Sequence, residues 1–218
     1  MVAAHEMLAE EAQWIGAWLA AQPAPRISPL LNLGSSTRAF REATQPWIQA
    51  TICAPAAARG VAVVHSDIKA ADGVDLVADI LSDAGLATLK AAEPRALLCS
   101  NVLEHVPDPA GFARRYLDVL PVGGYAIVTT PFAYPYHRDP IDTMFRPTLD
   151  ALAALHPGTR VVAQGTVLGG TFRAGAGRIA SEALRLPALL ARFRTLRASR
   201  LHFLRNRYSA NCIVLEKV

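Results

Sequence analysis

Hydrophobic positions along the chain fall into short runs, separated by turn residues and by segments with helical spacing. Short apolar runs bounded by glycine, proline and polar residues predict buried β-strands. The predicted strands are residues 28–33, 61–65, 74–78, 96–100 and 125–130, a sixth that begins near 166–167, and 211–215.

A helix is predicted between the fourth and fifth of these strands. The stretch AGFARRYLDVL places Phe112, Tyr116, Leu117 and Leu120 on one face. Strands that alternate with helices favour a parallel sheet covered on both faces. We therefore predict an α/β, Rossmann-like fold with a seven-stranded, mostly parallel sheet and helices on both faces.

The N-terminal part of the chain shows a second helical pattern, over residues 3–21. Its apolar residues recur at helical spacing, and Pro23 and Pro25 end it. We predict a segment 1–25 that packs as a helix on the outside of a single domain, 26–218. A coiled-coil or partner-binding helix is the alternative.

Ligands of open α/β sheets bind beyond the carboxyl ends of the strands. The first strand is followed by Gly34, Ser35 and Ser36, which are small enough to let backbone N–H groups approach a ligand. We predict a cofactor turn there, although an ordinary strand-to-loop turn has the same composition.

Acidic residues follow the next two strands. Asp67 is placed to accept hydrogen bonds from two ribose hydroxyls, or is a surface acid. Asp79 and Ile80 suit an adenine, with the acid accepting from the amine and the apolar side chain covering the ring.

The stretch NVLEHVPDPAGFARRYLDVLPVGGYAIVTTPF resembles the fourth and fifth strand region of class I S-adenosylmethionine-dependent methyltransferases, in particular the small-molecule, methyltransferase-11-like branch. The order of the Gly34 turn, Asp67 and the Asp79–Ile80 pair also resembles that family. The resemblance covers residues 27–147 and implies the class I methyltransferase fold with S-adenosylmethionine as cofactor. It implies cofactor roles for Ser100 and Asn101, and it suggests that Arg38 pairs with the methionine carboxylate. An exposed arginine at a helix start is the alternative for Arg38.

A general base is needed only where the methyl acceptor is a hydroxyl or a protonated amine. The candidates are His105, in NVLEHV, and His137 and Asp142, in the proline-rich loop PYHRDPIDTMFRPT. His105 is also interpreted as part of the pocket architecture. Asp142 is alternatively paired with Arg146 to hold the loop together.

Residues 173–207 hold nine arginines and a single acid, Glu182, whereas the rest of the chain is net acidic. Leucines interleave with the arginines, so we predict a basic helical insertion before the last strand. Three interpretations stay open: a helical pair that completes the core, peripheral contact with a membrane or lipid-linked substrate, and a dimer or partner surface.

Composition narrows the function classes. Three separated cysteines without a CxxC motif argue against disulfides and structural zinc, no metal site is predicted, and a cytoplasmic location is expected. We expect no signal peptide, no transmembrane helix and no nucleic-acid partner. We predict a methyltransferase acting on a small molecule, a saccharide or a lipid-linked acceptor; a catalytically inactive binding or scaffold protein is the alternative. The sequence does not indicate the oligomeric state.

Overall fold

The computed structural model describes residues 7–136, 141–171 and 207–218. The described helices are α1 (Ala9–Ala21), α2 (Ala24–Ile27), α3 (Pro46–Ile48), α4 (Ala54–Ala58), α5 (Asp83–Ala91), α6 (Pro109–Val119) and α7 (Leu149–Ala154). Two π-helical segments, Phe40–Thr44 and Gln49–Cys53, flank α3, and a 3-10 turn covers Leu103–His105.

Seven strands form one sheet. They are β1 (Leu30–Leu33), β2 (Val63–Asp67), β3 (Leu76–Val77), β4 (Ala96–Ser100), β5 (Tyr125–Ala133), β6 (Thr159–Thr171) and β7 (Arg207–Lys217). Their order is β3-β2-β1-β4-β5-β7-β6. The first five run parallel, and β7 lies antiparallel between β5 and β6. The predicted fold class is confirmed.

The observed strand boundaries agree best with the predicted ones in the centre of the sheet. Strand β4 has the predicted bounds, whereas β1, β2 and β3 each begin two residues later than predicted. The prediction for β6 was wrong, because this strand begins at Thr159 and not near residues 166–167. Val161 and Val162 at its start are 40% and 39% exposed, and an edge strand of this kind needs no buried apolar run.

Two hydrophobic cores cover the two faces of the sheet. One contains side chains of α5, α6 and α7 and includes Leu89, Tyr116 and Leu152. The other contains side chains of α1 and of the helical region 46–58, including Ile15 and Ile52. Helix α1 buries Ala12, Ile15 and Leu19 against the domain. The helices therefore fix the sheet from both sides and leave the carboxyl ends of the strands for a site.

Candidate functional site

A pocket of about 400 Å³ lies at the carboxyl ends of β1, β2 and β4. This is the place where the strand order reverses, between β1 and β4, and where open α/β sheets bind ligands. The lining consists of Met7, Asn32, Gly34, Ser35, Ser36, Phe40, Arg41, Gln45, Ile48, Asp67, Ile68, Lys69, Leu98, Ser100, Asn101, Val102 and His105.

The turn after β1, formed by Gly34, Ser35 and Ser36, is termed the β1 turn. Gly34 has φ +71°, and a Cβ atom on it would lie 2.8 Å from Cγ2 of Val102. Ser36 also has a positive φ, of 54°. Position 34 therefore requires glycine for two reasons, its backbone conformation and its lack of space. Position 36 has the conformation that glycine usually adopts, but it carries a serine.

Arg41 holds the β1 turn from behind. Its Nη1 donates to the carbonyl oxygens of Ser35 and Ser36, at 2.9 and 2.8 Å, and its Nη2 donates to that of Gly73 at 2.7 Å. Arg41 is buried, and burial lowers the pKa of its guanidinium. All three acceptors are main-chain carbonyls, so the contacts with Arg41 do not depend on the side chains of the turn.

Asp67, the last residue of β2, closes the other side of the turn. Its Oδ2 accepts from the backbone N–H of Ser36 at 2.9 Å, and its Oδ1 accepts from that of Lys69 at 3.1 Å. Ile68, next to it in the lining, is 62% exposed. A carboxylate beside an exposed apolar side chain is a suitable surface for a ribose and a base.

The floor of the pocket at the end of β4 is held by a residue of α1. Glu11 is buried, and its Oε1 accepts from Ser100 Oγ at 3.0 Å, Asn101 Nδ2 at 2.8 Å and Thr129 Oγ1 at 2.5 Å. Burial raises the pKa of the Glu11 carboxyl. Asn101 itself has φ +53°, so its backbone conformation is unusual for a residue with a side chain.

His105 lies between the pocket and the loop after β5. Its Nδ1 is 2.6 Å from the carbonyl oxygen of Ile141, and its Nε2 is 3.8 Å from Oε1 of Glu104. A carbonyl only accepts, so Nδ1 carries the hydrogen in the neutral ring and Nε2 carries the lone pair. Glu104 is buried, and burial raises the pKa of its carboxyl to about 8.

Asp142 forms a two-pronged ion pair with Arg146. The distances are 2.7 Å from Nη2 to Oδ2 and 3.1 Å from Nη1 to Oδ1, and the Asp142 side chain is fully buried. Asp142 Oδ1 also accepts from the N–H of Met144. The structure therefore favours the second interpretation of Asp142, in which the pair holds the loop.

The structure brings seven of the predicted site residues together around the pocket: Gly34, Ser35, Ser36, Asp67, Ser100, Asn101 and His105. Arg38 does not line the pocket, because its side chain is 56% exposed and pairs with Asp72. Asp79 caps the backbone N–H of Leu81, and Ile80 is packed in the core. His137 lies outside the described residues, as does nearly all of the basic segment 173–207.

Sequence reasoning missed Arg41, Glu11 and Glu104. Arg41 stands three residues after Arg38, the arginine that was predicted. This spacing is about one helical turn, so a helix beginning at Arg38 indicated that Arg41 lies beside it. Glu104 stands inside the NVLEHV stretch beside His105. Glu11 gave no local signal, because its partner Asn101 is 90 residues away.

In the described ranges, no helix is both long and apolar enough to cross a membrane. Residues 7–136, 141–171 and 207–218 also contain no group of three or more His, Cys, Asp or Glu side chains that could hold a metal ion.

No family model matches the sequence, and a search of curated proteins finds no match. Solved structures do match over most of the chain. Coclaurine N-methyltransferase, bound to N-methylheliamine and S-adenosylhomocysteine, superposes with a TM-score of 0.53 at 12% identity, over 94% of this chain and 71% of that one. The fold is that of the class I methyltransferases.

Two further structures match over the same share of this chain. The MccD protein has a TM-score of 0.51 at 12% identity, over 94% of this chain and 96% of its own. The [4+2]-cyclase SpnF has a TM-score of 0.50 at 17% identity, over 94% of this chain and 81% of its own. At such identities the likeness concerns the fold alone, and the cyclase shows that a protein similar in fold is known for a different reaction.

Proposed function

We propose that this chain is an S-adenosylmethionine-dependent methyltransferase of the small-molecule, methyltransferase-11-like branch, with a small-molecule, sugar or lipid-linked acceptor. The observation that carries this proposal is the pocket at the strand-order reversal, where the Gly34 backbone leaves no room for a Cβ atom. Its volume of about 400 Å³ suits a ligand of nucleoside size.

The lining residues fit such a cofactor. The β1 turn would lie against its ribose and methionine portions, and the Asp67 carboxylate, at the end of β2, would accept from the ribose hydroxyls. Ile68 would cover one face of the adenine. Asn101 has a buried Oδ1 atom to which the described part of the protein gives no hydrogen bond, so this oxygen is available to a ligand donor.

S-adenosylmethionine supplies a methyl group on a positively charged sulfur, which is an activated leaving group. The chain's own contribution is therefore to align the acceptor and to exclude water. For a hydroxyl or ammonium acceptor, His105 is the base that we propose, because its Nε2 carries the lone pair while Ile141 fixes Nδ1.

The acceptor is proposed to enter on the side of the loop after β5. Ile141 is tied to the pocket-lining His105, and the exposed apolar side chains of Phe132, Ile141 and Met144 are 42%, 43% and 50% accessible. Exposed apolar side chains on this side favour an acceptor with an apolar part. Contact of the basic segment 173–207 with a membrane, and a cytoplasmic location, are further proposals.

A second candidate function is ligand binding without methyl transfer. It is favoured by the ion pair of Asp142, which leaves that carboxylate unsuited to act as a base, and by the fold likeness to a cyclase. The two candidates share the cofactor site and differ only in turnover.

Titration calorimetry with S-adenosylmethionine and S-adenosylhomocysteine tests the proposal, with Asp67→Ala as the site variant. Asp72→Ala is the matched control, because its side chain is exposed and lies outside the lining. We expect micromolar binding by the wild type, a loss of about tenfold or more in Asp67→Ala and none in the control. Absence of binding by the folded wild type would contradict the proposal. Binding without transfer to any acceptor of the proposed classes would favour the second candidate.

A further inference from the structure

Glu11 is the only charged side chain that α1 buries within the described range of that helix. Its carboxylate reaches across to the carboxyl ends of β4 and β5. Three side-chain donors converge on Oε1, from Ser100, Asn101 and Thr129, and Oε2 accepts from the N–H of Leu8 at 3.3 Å. Helix α1 is therefore joined to the strand ends by a specific polar cluster as well as by apolar packing.

Docking of α1 does not by itself require this cluster. Ala12 and Ile15 are completely buried and Leu19 is nearly so, so the helix already has an apolar face against the domain. Burying a carboxylate opposes folding, as the raised pKa of Glu11 reflects. A leucine or glutamine at position 11 would avoid that cost, so the carboxylate suggests a use other than stability.

The partners of Glu11 point to that use. Ser100 and Asn101 both line the pocket, whereas Thr129 lies behind them in β5 and is buried. The hydroxyls of Ser100 and Thr129 are also 2.7 Å apart, so the cluster is closed on itself. Asn101 has φ +53°, and the bond from its Nδ2 to Glu11 sets the direction of its amide group.

We propose that Glu11 is a positioning residue of the pocket, which holds the Ser100 hydroxyl and the Asn101 amide in the orientation that receives the ligand. The N-terminal helix is then part of the binding site, and its docking is coupled to ligand binding. The identity of the ligand, an S-adenosyl compound, rests on the proposed function. The link between Glu11 and Asn101 does not.

The test compares Glu11→Ala and Glu11→Gln with Glu10→Ala, an exposed acid at the preceding position of the same helix. Three quantities are measured on the full chain: the melting temperature, the affinity for S-adenosylhomocysteine, and the NMR signal of the Asn101 side-chain amide, assigned by its loss in Asn101→Ala. We expect Glu11→Ala to weaken binding by about tenfold and to shift the Asn101 signal. Glu11→Gln retains an acceptor oxygen and should restore much of the affinity, and Glu10→Ala should match the wild type.

A folded Glu11→Ala protein with wild-type affinity, or with an unmoved Asn101 signal, would overturn the inference. If Glu11→Ala does not fold, Thr129→Val serves in its place, since it removes one donor and keeps the carboxylate. Wild-type affinity together with an unmoved Asn101 signal in Thr129→Val would then overturn the inference. If the wild type does not bind S-adenosylhomocysteine, the proposed function fails, and the Asn101 signal alone still decides whether Glu11 positions this side chain.

Discussion

The β1 turn lines the pocket and the segment 141–147 contacts the pocket-lining His105, and the two are held in different ways. The turn is held through its main chain, by Arg41 at its carbonyls and by Asp67 at the Ser36 N–H. The segment is held by a side-chain pair, Asp142 with Arg146. The turn is held at main-chain atoms that any residue would offer, whereas the segment adds a pair of two particular side chains to its main-chain contacts with Glu104 and His105.

This difference explains why serines are tolerated where a dinucleotide turn would have several glycines. Contacts to the main chain do not depend on the side chains of positions 35 and 36, whereas at Gly34 a Cβ atom would meet Val102. The segment 141–147, in contrast, should depend strongly on single substitutions. The β1 turn, on the proposed cofactor side, is therefore expected to be robust, and the segment 141–147, on the proposed acceptor side, sensitive.

Breaking the ion pair of the segment should have the largest effect. Arg146→Met removes the two-pronged partner of the buried Asp142 carboxylate, and we expect a loss of about 3–5 kcal/mol in the free energy of unfolding. Urea denaturation measures this loss. Arg38→Met is the control, because its pair with Asp72 is exposed and worth at most about 1 kcal/mol. Similar losses in the two variants would remove the contrast between the two regions.

The glycine of the turn should have the next largest effect. Gly34→Ala places a residue at φ +71° and a Cβ atom 2.8 Å from Val102 Cγ2, and we expect a loss of about 1–3 kcal/mol together with weaker S-adenosylhomocysteine binding. Gly123→Ala shares the backbone strain, at φ +77°, but meets open space. It should lose less stability and no affinity. The double variant Gly34→Ala/Val102→Ala should recover part of the loss, and its failure to do so would argue against the contact with Val102.

Glu104 contacts the segment 141–147, because its main-chain carbonyl accepts from both the N–H and the hydroxyl of Thr143. The pH dependence of stability therefore tests this side of the comparison through the Glu104 carboxyl. Burial raises the pKa of its carboxyl from 4.5 to about 8, Glu11 and Asp142 add to the rise, and Arg146 opposes it. The folded state therefore holds this proton more tightly than the unfolded state. The resulting stabilisation is fully present below about pH 4.5 and is lost as the pH rises through about 8.

Two histidines, the half-buried His65 and the buried His156, act in the opposite sense at lower pH. Burial lowers the pKa values of His65 and His156 from 6.5 to about 4, so their effect is complete near pH 6.5. Between pH 6.5 and 8 we expect the free energy of unfolding to fall, by at most about 1.4 kcal/mol per pH unit. Glu104→Gln should flatten this slope in urea titrations, and an equal slope in wild type and variant would contradict the assignment.

The smallest effect is expected at Ser36. Glycine relieves its positive φ of 54° but adds freedom to the unfolded chain, so Ser36→Gly should stay within about 1 kcal/mol of the wild type. Its affinity for S-adenosylhomocysteine should be unchanged, since the β1 turn uses the main chain of this residue. Ser35→Gly is the matched control, which gains freedom without relief of strain and loses the hydroxyl bond to the Ser36 carbonyl. A large loss of affinity in Ser36→Gly would show that the serine side chain matters.

The central strands were predictable because their side chains are buried on both faces, as in β4, where continuous aliphatic runs mark the elements. Strand β6 was placed too late because an edge strand is half exposed and mixes polar with apolar residues. The local hydrophobic pattern therefore predicted the strands correctly where their side chains are completely buried.

The same limit applies to the pocket. Residues at or directly after the strand ends, such as Gly34, Asp67 and Ser100, were predictable as pocket-lining residues because parallel strands end at one edge. Asp79 also follows a strand, but its carboxylate is used to cap the turn into α5. Glu11 and Arg41 make their contacts through long side chains, and tertiary packing determines which groups these side chains contact. A local sequence pattern therefore does not predict their partners.

The pairing of the last two strands has a consequence for how the protein can change. Thr171, at the end of β6, is paired with Arg207, at the start of β7. The two strands are therefore paired up to the residues between which the chain connects them. Strand β6 runs in the same direction as β5, because both are antiparallel to β7. The end of β6 and the start of β7 therefore lie at the edge of the sheet that carries the pocket. The number of residues joining the two positions has little influence on the register, since closure entropy grows only slowly with length. The pocket edge thus includes a point at which insertions and deletions can accumulate over evolution while the sheet stays the same.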